Sequence, residues 1–245
     1  MIHPIGGYVF FYRELAQQLS DRQPLYGIQG QGIDGKSSAL NQVEAMASEY
    51  ICQLHKHQPV GPYLLGGSSF GGMIAYEMAQ QLKQRNETVA LLTLIDTPGP
   101  GHMPTGRFTD DVDVMAYILE VGNNIRISPD ELRSMDEQQR WAWFVEKTGG
   151  GDTEDSSMQS AIFMDIFRAN MQAMFAYQPR PWEGDLLFFR AMEQDAYNAN
   201  TPEKAWEPLI RGNSTTYSVP GNHITMNEQP HVKVLAHYLQ KKSTA

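Results

Sequence analysis

Short apolar runs rich in β-forming residues alternate along the chain with stretches whose apolar positions recur every three or four residues. Leu25-Tyr26-Gly27-Ile28-Gln29 reads as a strand. The segment 39–58 carries Val43, Met46, Ala47, Tyr50, Ile51 and Leu54 at helical spacing, and Pro59 with Gly61-Pro62 ends it. A strand over 63–66 and a helix over 72–85 follow. Residues 89–95 form a continuous apolar run of the kind buried on both faces of a sheet. Strand, helix and strand joined by short connections predict an α/β domain with a mostly parallel central sheet flanked by helices.

From about residue 109 to 177 the period is helical throughout. Three helices are predicted, over 110–121, 129–147 and 156–177, with Gly149-Gly150-Gly151 as a flexible break. Ser128 before Pro129, with Glu131 three positions on, is a helix start. The sheet pattern resumes at 185–190 and 215–219, and a final helix is expected over 230–240. The chain therefore reads as one interrupted domain. Its core spans 1–106 and 179–245, and a helical lid insertion at about 107–178 covers the C-terminal edge of the sheet.

Composition narrows the function. The 245 residues are 41% apolar and 19% charged, enough to bury a core without staples. No apolar run approaches the roughly 18 residues of a membrane span, and Met1-Ile2-His3-Pro4 has no signal-like character. Cys52 is the single cysteine, which excludes a disulfide framework and a multi-cysteine metal site. No metal site is expected, and a cytoplasmic setting is. Lys and Arg number 19 against 28 Asp and Glu, a net charge of −9, which disfavours nucleic acid and anionic membranes as partners.

The chemistry concentrates at Gly67-Ser68-Ser69-Phe70-Gly71, a G-x-S-x-G motif between a predicted strand and helix. Only Ser69 fits its centre, since Ser68 would need glycine at position 70. The motif describes a sharp strand-to-helix turn that lifts a serine hydroxyl clear of the sheet, with small flanking residues so that the backbones can pass. The N–H of Phe70 then points at a developing oxyanion.

A serine nucleophile needs a base and an acid that orients it. His55 and His57 end a helix and read as solvated, His102 lies in a loop, and His231 and His237 belong to the last helix. His223 follows the 215–219 strand and the turn Pro220-Gly221-Asn222, where open α/β sheets hold site residues, and it comes late in the chain as the order Ser, Asp, His requires. Two acids compete. Asp96 sits directly at the end of the 89–95 strand, and Asp195, with Glu193 nearby, follows the 185–190 strand. Cys52, beside Ile51, reads as a small packing residue.

These residues resemble the thioesterase domain that ends nonribosomal peptide synthetases and modular polyketide synthases, a member of the α/β-hydrolase superfamily. The resemblance is carried by His3-Pro4-Ile5-Gly6-Gly7, by Leu25-Tyr26-Gly27-Ile28-Gln29 with Gly32-Ile33-Asp34-Gly35, and by Gly61-Pro62-Tyr63 leading into Gly66-Gly67-Ser68-Ser69-Phe70-Gly71-Gly72. It continues in Ile95-Asp96-Thr97 and Val219-Pro220-Gly221-Asn222-His223. It implies Asp96 as the acid, whereas stand-alone editing thioesterases use the later strand. It implies Ile5 as the second oxyanion donor beside Phe70. Two departures stand out. Ser68 replaces a bulky residue before the nucleophile, which would open space beside it. Only Met1-Ile2 remain to supply the strand that precedes the opening loop, so upstream residues or modules are expected.

The resemblance implies release of an acyl, peptidyl or polyketide chain from the phosphopantetheine arm of an acyl or peptidyl carrier protein covalently linked upstream, with no cofactor of the domain's own. An acyl-Ser69 ester would then yield to water or to a nucleophile of the same chain, giving an acid or a macrocycle. In the insertion, Phe163, Phe167, Met171 and Met174 line one face, as packing onto the core or as an apolar wall over the acyl chain. Competing readings are a stand-alone editing thioesterase, a carboxylesterase or lipase of the same fold, and a non-catalytic binding domain.

Overall fold

A computed structural model describes residues 1–19, 23–100, 110–123, 125–147, 154–193 and 202–243. Among the described residues, four parallel strands lie in the order β1 (Tyr63–Ser68), β2 (Val89–Ile95), β3 (Leu186–Ala191) and β4 (Ser214–Val219). Parallel strands need crossovers, which the helices supply. A 3-10 turn at Phe10–Tyr12 leads into α1 (Arg13–Gln18), and α2 (Val43–His57) precedes β1. α3 (Phe70–Gln84) joins β1 to β2. Between β2 and β3 stand α4 (Asp111–Asn123), α5 (Pro129–Arg133), α6 (Glu137–Lys147) and α7 (Glu154–Ala176). α8 (Pro202–Trp206) joins β3 to β4, and α9 (Val232–Ser243) follows β4.

Both faces of the sheet are covered, and β3 shows how. Leu186 and Phe188 enter one apolar cluster with α2, α3 and the inserted helices, while Leu187, Phe189 and Ala191 enter another with α1 and α9. A strand that buries both faces must be apolar at successive positions, hence Leu-Leu-Phe-Phe. β2 meets this description only in part. Leu92 to Ile95 are buried, whereas Ala90 is exposed and Val89 and Leu91 are half-buried.

Several elements differ from their sequence expectation. The strand at 25–29 shrinks to an isolated bridge, because the segment beside it offers only Ile2, which pairs in parallel with both Ile28 and Gly67. The helix expected over 129–147 is two helices, broken between Arg133 and Glu137. The capping box at Ser128 and Glu131 forms as expected, with Glu131 N–H donating to Ser128 Oγ at 3.2 Å and Ser128 N–H to Glu131 Oε2 at 2.8 Å. Cys52 is exposed rather than packed, since one step along α2 from Ile51 turns the side chain about 100° off the buried face. His55 is not simply solvated: its Nε2 lies 2.9 Å from Glu87, which also accepts from Tyr63 Oη at 2.8 Å. α1 and α8 have too few residues for periodicity to reveal them. The triglycine at 149–151, His102 and Asp195 lie outside the described residues.

No helix among the described residues is long and apolar enough to cross a membrane.

Candidate active site

Ser69 is the residue between β1 and α3. Its backbone is left-handed (φ 55°, ψ −128°), a conformation that costs a non-glycine residue about 1–3 kcal/mol. The surroundings hold it there: Ser69 N–H donates to Ile95 O at 2.8 Å, and Gly72 N–H donates to Ser69 O at 3.0 Å. The glycines are steric requirements. A Cβ on Gly67 would stand 2.2 Å from the Gly71 carbonyl carbon and oxygen. One on Gly71 would stand 2.4 Å from Ile2 O, and one on Gly72 1.9 Å from Thr97 Oγ1. Ser68 is fully buried, its N–H donating to Tyr12 Oη at 2.7 Å, so its side chain faces the interior rather than solvent.

Strand register sets the other residues. Ser68 pairs with Ile95, so Ser69 and Asp96 leave adjacent strand ends together. Asp96 is also left-handed (φ 42°) and fully buried. Its Oδ1 accepts from Ala191 N–H at 2.9 Å, and its Oδ2 lies 2.7 Å from His223 Nδ1. Ala191 and Val219 are paired ends of β3 and β4, and His223 sits four residues beyond Val219, 11% exposed at its side chain. The structure thus joins His223 to Asp96 and stations Ser69 at the neighbouring strand end. A carboxylate bonded to Nδ1 keeps the proton there, so Nε2 is the ring nitrogen suited to accept one.

The opening loop lies across the start of α3, as the approach of Gly71 to Ile2 and His3 requires. His3 is fully buried and pins this loop. Its Nδ1 donates to Pro4 O at 2.8 Å, and its Nε2 lies 2.7 Å from Tyr50 Oη on α2. Burial lowers the His3 pKa to about 4, against the weaker opposing effect of the Pro4 carbonyl, so the ring is neutral near pH 7. Gly7 N–H also donates to Pro4 O, at 2.9 Å. With that carbonyl held, the N–H of Ile5 on the same trans peptide points the opposite way. The Phe70 N–H is the first of α3, one of those left without an intrahelical partner.

Sequence reasoning passed over three polar side chains that hold these pieces. Tyr12 Oη donates to Ile2 O at 2.6 Å while accepting from Ser68, tying the first residues to the turn. Tyr50 holds His3. Asn170 on α7 reaches the carbonyl of Ile5. The signal for Asn170 was a polar residue inside the apolar stripe of Phe163, Phe167, Met171 and Met174. Of those four, Phe167, Met171 and Met174 are buried in the main apolar cluster, and Phe163 is half-buried, stacked on Tyr8 with ring centroids 6.3 Å apart. Among the described residues no group of three or more His, Cys, Asp or Glu side chains is arranged to hold a metal ion.

The model of the thioesterase domain family matches residues 1–242. The chain belongs to that family. Its members are hydrolases, and the thioesterase domain is similar in sequence to parts of large synthetases. It is 26% identical over 225 residues to a dimodular nonribosomal peptide synthase of Bacillus subtilis, covering 91% of this chain and 9% of that protein. It is 29% identical over 244 residues to malpinin synthetase of Mortierella alpina, covering 98% of this chain and 3% of that protein. It thus spans less than a tenth of the length of these curated relatives. Among solved structures it resembles holo-AB3403, a four-domain nonribosomal peptide synthetase bound to AMP and glycine, with a TM-score of 0.85 and 27% identity over 98% of this chain and 19% of that one. The RedJ thioesterase of the prodiginine pathway in Streptomyces coelicolor shares the α/β-hydrolase fold, with a TM-score of 0.74 at 21% identity, covering 98% of this chain and 84% of that one.

Proposed function

We propose that this thioesterase domain releases an acyl, peptidyl or polyketide chain from the phosphopantetheine arm of a carrier protein through an acyl-Ser69 intermediate. The observation that carries the reading is the 2.7 Å pairing of His223 with the buried Asp96 beside the left-handed turn at Ser69. Ser69 Oγ attacks the thioester carbonyl as His223 Nε2 takes its proton. Asp96 keeps the imidazole in the required tautomer and stabilises the imidazolium. The N–H groups of Ile5 and Phe70 receive the oxyanion, each worth about 3 kcal/mol of barrier. Collapse breaks the C–S bond, and the thiolate takes the proton from His223. Water, or a hydroxyl or amine of the bound chain, then attacks the acyl ester in the same way and gives an acid or a ring.

The synthetase relatives support a carrier protein joined upstream in the same polypeptide. Covalent linkage suits a domain of net charge −9, because effective concentration replaces electrostatic steering toward an acidic carrier. The helices between β2 and β3 serve as the lid, with Phe163 packed against Gly6 of the opening loop. A lone cysteine fits a cytoplasmic setting.

The test is product analysis by mass spectrometry on a panel of acyl-phosphopantetheine and N-acetylcysteamine thioesters. Wild type should release acids or macrocycles, and Ser69→Ala should release neither. A Ser69→Ala variant that turns over at the wild-type rate would overturn the nucleophile, and a domain that cleaves simple oxygen esters but no thioester would overturn the substrate class.

A further inference from the structure

The peptide units on either side of Ile5 are held by different parts of the fold. The Pro4–Ile5 unit, which carries the Ile5 N–H, is fixed through its carbonyl by His3 Nδ1 and Gly7 N–H. The Ile5–Gly6 unit is fixed through its carbonyl by Asn170, whose Nδ2 donates to Ile5 O at 2.7 Å. His3 and Gly7 belong to the loop itself, whereas Asn170 comes from α7, 165 residues away in sequence, and is 2% exposed. Gly6 follows directly, so nothing intrinsic to the next residue would hold the unit if Asn170 withdrew.

The same face of α7 presses on the loop around this bond. A Cβ on Gly6 would stand 3.1 Å from Phe163 Cε2, and one on Gly7 2.9 Å from Ile166 Cγ2. Phe163, Ile166 and Asn170 lie three and four positions apart, so they share one face of the helix. The far end of α7 is anchored to α3. Tyr177 Oη donates to the buried Glu77 at 3.0 Å, and Tyr76 Oη and Gln80 Nε2 both donate to Arg180 O at 2.7 Å. The helix is thus fastened at its foot to the element that begins at the nucleophile turn, and two turns earlier it meets the loop that offers the second N–H.

We infer that Asn170 is a positioning residue that couples the seating of α7 to the alignment of the Ile5 N–H, so that the lid and the oxyanion site form together. The inference rests on the acyl-serine reading above. With α7 seated, both peptide units of Ile5 are fixed and the donor is aimed. With α7 displaced, the Ile5 carbonyl loses its partner and ψ of Ile5 is released, so Gly6 and Gly7 can swing and the Gly7 N–H lets go of the Pro4 carbonyl, loosening the peptide unit that carries the Ile5 N–H; closure over substrate and readiness for chemistry are then one event.

The experiment is the rate of phosphonylation of Ser69 by an alkyl fluorophosphonate, in which serine displaces fluoride while negative charge develops on the phosphonyl oxygen at the oxyanion site, and no thioester is required. Asn170→Asp keeps the shape but sets a carboxylate oxygen against a carbonyl oxygen. Its maximal labelling rate should fall roughly tenfold or more, below the 10²–10³ typical of losing the donor outright. The concentration for half-maximal rate should stay within twofold, and the final labelled fraction should stay full. A purely structural role would lower the labelled fraction and spare the rate of the folded molecules. An unchanged rate at full labelling overturns the coupling alone, whereas failure of wild type to label at Ser69 overturns the acyl-serine reading with it.

If Asn170→Asp does not fold, hydrogen exchange on wild type decides. A methylphosphonyl group on Ser69 carries no acyl chain, so slower exchange in α7 cannot come from a chain packed against the lid. Amides of 162–176 should exchange severalfold more slowly in the adduct, and unchanged exchange overturns the inference.

Discussion

Replacing Asp96 with asparagine changes one atom and should remove most of the activity, and the geometry says why. The carboxylate is fully buried between two partners, Ala191 N–H at 2.9 Å on Oδ1 and His223 Nδ1 at 2.7 Å on Oδ2. An asparagine must keep its oxygen toward Ala191 N–H, because the opposite orientation sets two donors against each other in a dry site at a cost of about 1–3 kcal/mol. In the favoured orientation the amide N–H₂ points at His223 Nδ1. The ring then offers a lone pair there and carries its proton on Nε2, so it cannot take a proton from Ser69. The productive tautomer exists only at that 1–3 kcal/mol penalty, and the imidazolium loses its counter-charge as well. Together these amount to a fall of about 10³–10⁴-fold in kcat, or roughly 4–5 kcal/mol.

The assay is thiol release from an N-acetylcysteamine thioester under saturating substrate. KM should change little, because Asp96 is buried and meets no substrate. The melting temperature should move by a few degrees at most, since the replacement has the same shape. A variant retaining more than a tenth of wild-type kcat would refute Asp96 as the orienting acid and turn attention to Asp195.

Three further outcomes test how the parts are held. His3, with its pKa lowered to about 4 by burial, binds protons in the unfolded chain before it does in the folded one; stability is therefore full above about pH 6.5 and is lost as pH falls toward 4. That shift is worth about 3 kcal/mol as an upper bound, and urea titrations should show a shallower loss over this window in His3→Gln than in wild type. Gly72→Ala drives a Cβ into buried Thr97 and should cost about 1–3 kcal/mol, partly recovered by adding Thr97→Ala. Gly67→Ala meets the backbone of Gly71 and Gly72 instead, so no side-chain deletion should rescue its loss of folding or labelling.

The elements most legible in the sequence were those whose period is set by burial. β2 was bounded correctly by its apolar run, and α2, α3 and α7 lay within a few residues of their expected ends. Pattern could not find the break in 129–147, because Ser134, Met135 and Asp136 carry no glycine or proline to announce it. It misjudged 25–29 because a strand exists only as far as its neighbour pairs with it, and Ile2 offers a single bridge. At the site, Ser69 and His223 were marked by local motif and position. Asn170 was marked only as a polar residue inside an apolar stripe and Tyr50 only as a helix position, and Tyr12 was not marked at all, since each acts on groups far away in sequence.

Asp96 leaves β2 but is held by β3. From sequence, an acid after β2 and an acid after β3 look like alternatives at different strand ends. In the structure Asp96 leaves β2 and bonds Ala191 N–H, at the end of β3. Its own N–H donates to Phe189 O of β3 at 2.7 Å, so backbone and side chain both lean onto the neighbouring strand. The left-handed φ of 42° makes that turn possible, at a strain of about 1–3 kcal/mol that the two hydrogen bonds to β3 offset. The carboxylate therefore arrives beside the loop after β4 that bears His223. The placement needs a residue that tolerates positive φ at the end of β2, which aspartate does better than most. Asp96→Glu should accordingly fail even though it keeps the charge: the longer side chain overshoots both partners, and glutamate tolerates the left-handed backbone less well. Wild-type kcat in the Asp96→Glu variant would show that charge alone, and not this placement, is what His223 requires.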